Sequence, residues 1–163
     1  MTSIKNLSFQ NKKALIRVDF NVPVDGDSIS DNSRILAAIQ TINYVLENGG
    51  SCVLMSHLGR PKKREKKLSL VRIKQELESL LGLVVIFVED CVGPEVKKAS
   101  QSMMPGQVLL LENLRFYKEE VAGDEKFAEE LSSLADIYIN DAYGTTHRAH
   151  ASTSTIAKYF TEK

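Results

Sequence analysis

Apolar and polar positions along the chain repeatedly switch between a strand-like and a helix-like period. Ala14-Leu15-Ile16-Arg17-Val18 is a short apolar run with strand character. Asp31 then offers a helix N-cap, and Ile35, Ala38, Ile39, Ile42, Val45 and Leu46 recur at helical spacing. Gly49-Gly50 stops that helix, and Cys52-Val53-Leu54-Met55 forms a second strand. After the polar stretch PKKREKK, the pattern predicts a helix that begins at Ser69, carries Val71, Ile73, Leu77, Leu80 and Leu81, and ends at Gly82. Residues 84–88, VVIFV, are five apolar positions in a row, which predicts a third strand buried on both faces. A helix over about 93–102, with Pro94 in its first turn, precedes a fourth strand at 108–111. Gly123-Asp124 opens a helix through Phe127, Leu131 and Leu134. A fifth strand at 137–139 and a short helix over about 153–160 complete the series.

Strand and helix alternate throughout, which predicts a parallel sheet with helices on both faces. The fold class is therefore an open α/β, Rossmann-like three-layer domain. No internal repeat or domain boundary interrupts the 163 residues, so a single domain is expected. PKKREKK is the most linker-like stretch, but it lies inside a strand-to-helix connection.

Composition narrows the function classes. At 43% hydrophobic and 26% charged residues the chain is of globular type. Lys plus Arg equals Asp plus Glu, at 21 each, so no global field draws it to nucleic acid or a membrane surface. The basic run PKKREKK is accordingly expected to be a solvated loop, and no nucleic-acid partner is expected. Cys52 and Cys91 have no metal-ligand spacing, so no metal site or disulfide is expected. The N-terminal MTSIKNLSFQNKK lacks the apolar core of a signal peptide, and no run reaches membrane-spanning length. The expected location is cytoplasmic.

In open α/β sheets, ligands bind beyond the carboxyl ends of the strands. Four of those ends carry unusual polar sequence: Asp19-Phe20-Asn21-Val22-Pro23, Ser56-His57-Leu58-Gly59-Arg60-Pro61, Glu112-Asn113-Leu114-Arg115-Phe116, and the segment from Asn140 to His150. Arg60, Arg115 and Arg148 lie just past strand ends, and Arg34 opens the first helix. All three histidines, His57, His147 and His150, fall in the same segments. A guanidinium offers a rigid donor fork that matches phosphate and carboxylate, so such a rim suits a small, multiply charged anion. Singly, each residue also fits a structural role: Asp19 paired with Arg17, Asn21 in a turn, Arg34 on a helix surface, Glu112 and Asp141 holding arginines. Their convergence on one sheet edge favours an anion site. The common phosphate loops, G-x-x-x-x-G-K-S/T and G-x-G-x-x-G, are absent from the sequence, as is the G-x-S-x-G nucleophile elbow.

At these strand ends the chain resembles the amino-terminal half of the phosphoglycerate kinase family. RVDFNVP (17–23), SHLGRP (56–61), LLENLRF (110–116) and NDAYGTTHRAHAS (140–152) resemble that family's signatures and occur in its order. The resemblance implies that Asp19, Phe20 and Asn21 meet the hydroxyl and carboxyl end of 3-phosphoglycerate. It implies that His57, Leu58, Gly59, Arg60, Arg115 and Arg148 grip its phosphate, with His147 and His150 supporting from behind. Arg34 matches the arginine that stabilises the phosphoryl group in transit, the one catalytic assignment. The family reaction is transfer of the acyl phosphate of 1,3-bisphosphoglycerate to magnesium ADP, and its reverse. Direct in-line transfer needs no enzyme nucleophile. The sequence departs from the family pattern at Gln40, where proline is expected, at Tyr143 for phenylalanine and at Thr146 for alanine. The family's nucleotide-binding domain, with its glycine-rich loops and catalytic lysine, does not occur in these residues. The chain is thus expected to be an excised half-enzyme: a monomer, inactive alone, with the magnesium nucleotide (ATP or ADP) held by the missing domain. The alternative is a stand-alone small-anion-binding module.

Overall fold

The computed structural model describes residues 2–142, 144 and 148–163. Five parallel strands form its main sheet: β1 (Lys13–Arg17), β4 (Ser51–Met55), β5 (Val85–Phe87), β6 (Val108–Leu110) and β7 (Ile137–Asn140), in the spatial order β5-β6-β4-β1-β7. The connections hold the helices α1 (Ser33–Glu47), α2 (Val71–Leu81), α3 (Pro94–Gln101), α4 (Lys118–Ala122) and α5 (Glu125–Ser132). A small antiparallel ribbon, β2 (Val24–Asp25) with β3 (Ser28–Ile29), interrupts the first crossover. Three-residue 3₁₀ turns at Lys66–Leu68 and Leu114–Phe116, and a five-residue one at Thr155–Tyr159, fill the remaining connections.

Successive side chains of a strand point to opposite faces, and each face is buried under its own helices. Ala14, Ile16, Cys52 and Leu54 join Ile35, Ala38, Ile42 and Val45 of α1 and Ile73 and Leu77 of α2. Leu15, Val53 and Met55 join Val96 of α3 and Phe127, Ala128 and Leu131 of α5. This is the three-layer arrangement that the alternating pattern predicts, in one domain. Arg17 follows Leu15 by two positions and so points to the α3–α5 face, where it has 0% exposure.

The structure corrects the pattern in two places. Residues 84–88 are not buried on both faces. β5 is an edge strand, Val84 is 76% and Ile86 38% exposed, and only Val85 is fully buried. Asn32, not Asp31, is the N-cap of α1. Asp31 Oδ1 instead accepts from the Ser33 N–H at 2.9 Å, and Asn32 Nδ2 donates to Glu76 Oε1 at 2.7 Å. The short α4 and the β2–β3 ribbon have too few residues to show a period. PKKREKK is tied down at one point: Arg64 stacks over Phe116 and Tyr117, each 5.5 Å away, and pairs with Asp90 at 3.2 Å.

Candidate functional site

Parallel strands bring their carboxyl ends to one edge of the sheet. There Asp19 and Asn21 after β1, His57, Gly59 and Arg60 after β4, Arg115 after β6, and Gly144 and Arg148 after β7 line one crevice of about 310 Å³. Arg34, from the first turn of α1, completes it. Arg60, Arg115 and Arg148 also wall an adjoining hollow of about 580 Å³, with His150, Tyr117 and Lys118. The protein is neutral overall, so the positive field is local, made by strand-end placement.

Hydrogen bonds hold the crevice in shape. Arg34 is drawn back from the helix surface: its Nη1 donates to the Asn21 carbonyl at 2.8 Å and lies 3.4 Å from Asp19 Oδ1. Asp19 therefore pairs with Arg34, and its Oδ1 also accepts from the Asn21 N–H at 3.2 Å. Asn21 Oδ1 accepts from the Gly59 N–H at 2.9 Å, which leaves its Nδ2 as a donor for a ligand. Gly59 has φ +65, a left-handed backbone conformation that side-chain-bearing residues rarely adopt, so this turn favours glycine. Phe20 and Leu58 turn their side chains into the apolar core and contribute backbone only. His147 lies outside the described residues, as do Tyr143 and Thr146.

Three residues that sequence reasoning did not single out as site residues organise this edge. Asn113, fully buried, accepts from the Leu58 and Arg115 N–H groups at 3.2 and 3.0 Å and donates to the Leu58 and Leu68 carbonyls at 2.8 and 2.9 Å. It thereby registers the His57–Arg60 segment against Arg115. Arg17 donates through Nη2 to His57 Nδ1 at 2.9 Å. Glu120, fully buried on α4, faces the patch from below and opposes the mutual repulsion of Arg17 and Arg115. Glu112 does not hold an arginine: it accepts from Ser69 Oγ at 2.6 Å and from the Leu70 N–H at 2.8 Å, fastening the start of α2. The Asp141 carboxylate is raised in pKa by burial, and its Oδ2 has no partner among the described residues.

The arginines crowd one another. Burial, then Arg17 and Arg148, lowers the proton affinity of Arg115, whose buried Nε has no acceptor among the described residues. His57 is pushed down from 6.5 to about 2, by burial first and then by Arg17, Arg115, His150 and Arg148. His150 is lowered too, by burial first, and its buried Nδ1 has no partner among the described residues. An anion bound among these groups would relieve this crowding.

The depressed histidines set the direction of a pH effect. The unfolded His57 takes up a proton near 6.5, whereas the folded one stays neutral down to about 2. Between those values the unfolded chain binds more protons, so stability should rise with pH through that window and level off above roughly pH 7. The melting temperature at pH 5.5 is expected to lie below that at pH 7.5, and His57→Gln should shrink the difference. An equal pH slope in His57→Gln would show that His57 titrates normally.

Comparison with known proteins agrees with the geometry. The family model for phosphoglycerate kinase matches residues 4–163. The phosphoglycerate kinase of Moorella thermoacetica is 55% identical over 158 residues, covering 96% of this chain and 40% of the relative. A chloroplastic phosphoglycerate kinase of Arabidopsis thaliana is 50% identical, covering 96% of this chain and 33% of its own length. Among solved structures, the phosphoglycerate kinase of Coxiella burnetii superposes with a TM-score of 0.87 at 35% identity, over 98% of this chain and 40% of that one. That of Pyrococcus horikoshii gives 0.88 at 30% identity, over 96% and 40%. The chain spans about two-fifths of the length of most of these relatives. With the motifs in order, the sheet topology shared and the match running almost end to end, the chain belongs to the phosphoglycerate kinase family.

Proposed function

We propose that these residues are the acceptor-binding half of a phosphoglycerate kinase, holding 3-phosphoglycerate or 1,3-bisphosphoglycerate for reversible phosphoryl transfer with ADP or ATP. The observation that carries this reading is the crevice itself: Arg34, Arg60, Arg115, Arg148 and His57 converge on one space in a chain with no net charge. Arg60, Arg115 and Arg148 suit the phosphate, as forked donors on one wall. Asp19 and the Nδ2 of Asn21 suit the hydroxyl and carboxyl end. Arg34, tethered between them at the rim, suits the phosphoryl group in transit. Phosphoryl transfer relies on positioning and charge stabilisation, which this set of groups supplies without a nucleophile.

The magnesium nucleotide does not fit here. The sequence has no glycine-rich phosphate loop, and among the described residues no group of three or more His, Cys, Asp or Glu could hold a metal ion. Its site is proposed to lie in a nucleotide-binding domain outside these residues. The purified 163-residue chain, expected to be a monomer, should therefore show no turnover of 1,3-bisphosphoglycerate in a coupled assay. Steady turnover would overturn the half-enzyme reading. Among the described residues no helix is long and apolar enough to cross a membrane. A cytoplasmic location suits the buried, free thiols of Cys52 and Cys91. Family membership weighs against a stand-alone anion-binding module.

Calorimetric titration of 3-phosphoglycerate into the chain tests the substrate assignment. Arg60→Ala and Arg148→Ala should each weaken binding by about 1.5–3 kcal/mol, the range for hydrogen bonds to charged groups. Arg60→Lys should also lose affinity, because an ammonium cannot reproduce the fork. Parental affinity in both alanine variants would refute the assignment.

A further inference from the structure

We propose that Glu120, Ser152 and Arg17 form a buried positioning relay that fixes the His57 ring with Nδ1 as acceptor and its proton on Nε2, so that the crevice meets a neutral hydrogen-bond donor. The functional side of this inference rests on the reading of the crevice as the phosphoglycerate site.

The direction of every link follows from the chemistry of its members. An arginine side chain can only donate. Arg17 has 0% exposure and spends Nη1 on the Val18 carbonyl, Nε on Ser152 Oγ at 2.9 Å and Nη2 on His57 Nδ1 at 2.9 Å. His57 Nδ1 must therefore accept, and the neutral ring carries its single proton on Nε2. The Ser152 hydroxyl has one hydrogen. Ser152 Oγ accepts from Arg17, and its hydrogen goes to Glu120 Oε2. Glu120 Oε1 takes the Ser152 N–H at 2.8 Å. Both Glu120 and Ser152 are fully buried, and the Tyr138 hydroxyl donates to the Ser152 carbonyl at 2.7 Å, pinning that backbone. The chain of bonds thus runs from an anion on α4, through the end of the segment after β7, to the end of β1 and on to His57 after β4. A buried carboxylate opposite a buried guanidinium is also what makes each tolerable in the interior.

The charges facing His57 act in the same sense. Arg17 of β1, Arg115 from the turn after β6, and Arg148 and His150 from the segment after β7 all disfavour an imidazolium. Burial lowers the proton affinity of Arg17, and Glu120 is the foremost charge opposing that loss. Without the relay, Arg17 could swing away and release Nδ1, and His57 would be free to exchange tautomers or to titrate. With it, the donor that His57 offers does not change through neutral pH. Glu120 and Ser152 are not among the residues that line the crevice, so they act as positioning residues through Arg17.

Two-bond proton–nitrogen correlation spectra of the ¹⁵N-labelled chain read the ring directly. In the parent, free of ligand, His57 is expected as the Nε2–H tautomer with no titration between about pH 5 and 8. Ser152→Ala removes the hydroxyl link and keeps the backbone bond to Glu120. It should mix the two tautomers or bring a His57 titration into that range, and lower affinity for 3-phosphoglycerate by about three- to tenfold. Glu120→Gln should move the His57 signals in the same way, and Ser152→Thr, which keeps the hydroxyl, should retain the parental pattern. A parental His57 protonated on Nδ1, or titrating between about pH 5 and 8, overturns the proposal, and this spectrum decides even if Ser152→Ala does not fold. Unchanged His57 signals in a folded Ser152→Ala overturn it as well. The spectra need no ligand, so failure of 3-phosphoglycerate to bind would count against the substrate reading alone.

Discussion

Arg34→Ala, made in a longer chain that carries both halves of the enzyme, should lower kcat by roughly 10³-fold while changing the affinity for 3-phosphoglycerate far less. The expectation comes from where Arg34 is held. Its side chain is 54% exposed, as a surface residue's would be. Yet it lies along the crevice rim and not along α1, because the Asn21 carbonyl and the Asp19 carboxylate each take a bond from Nη1. The other guanidinium donors have no hydrogen-bond partner among the described residues, which leaves them to meet charge that develops beside the bound acid. Arginines in that role stabilise a migrating phosphoryl group and do little for the ground state. Exposed ion pairs such as Arg34–Asp19 contribute at most about 1 kcal/mol to folding, so the variant should fold normally. Steady-state kinetics then separate the effects. An unchanged kcat would return Arg34 to the helix surface.

The largest loss of stability should come from Asn113→Ala, at about 3–4 kcal/mol. Truncation leaves two N–H groups and two carbonyls, buried or half-buried, without their partner at Leu58, Leu68 and Arg115. Asn113→Asp should be no better, because it places an oxygen against the Leu58 and Leu68 carbonyls where a donor is needed. Both variants should also lose affinity for 3-phosphoglycerate, since Arg60 and Arg115 sit on the two segments that Asn113 joins. Urea unfolding gives the stability change directly. A loss under about 1 kcal/mol would mean that water replaces the carboxamide at little cost.

Much of this was legible in the sequence, for identifiable reasons. The helix α1 reads clearly because Ile35, Ala38, Ile42 and Val45 make one continuous apolar stripe. The site reads clearly because parallel strands must deliver their carboxyl ends to one edge, so polar strand-end sequences converge whatever the strand order. Strand order itself is non-local. Five apolar residues at 84–88 look like a central strand, and only the sheet order shows that β5 has an open side. The supporting polar network is hidden for the same reason. Arg17 and Ser152 are 135 positions apart, and Ser152 and Glu120 are 32 apart. Arg17 and Ser152 are the first and last letters of two of the recognised motifs, yet an arginine inside a strand gives no sign of which face it occupies. Glu120 sits on a five-residue helix too short to show a period. Asn113 was read only as part of LLENLRF, since a buried carboxamide hub has no spacing rule. Glu112, beside it, was expected near the arginines and instead fastens α2.

A crystal structure of the 163-residue chain with 3-phosphoglycerate tests the central claim most directly. The account predicts the phosphate between Arg60, Arg115 and Arg148, within hydrogen-bond distance of His57 Nε2, and the carboxyl and hydroxyl end against Asp19, Asn21 and Arg34. A ligand bound in the reverse orientation, or outside the crevice, would contradict it.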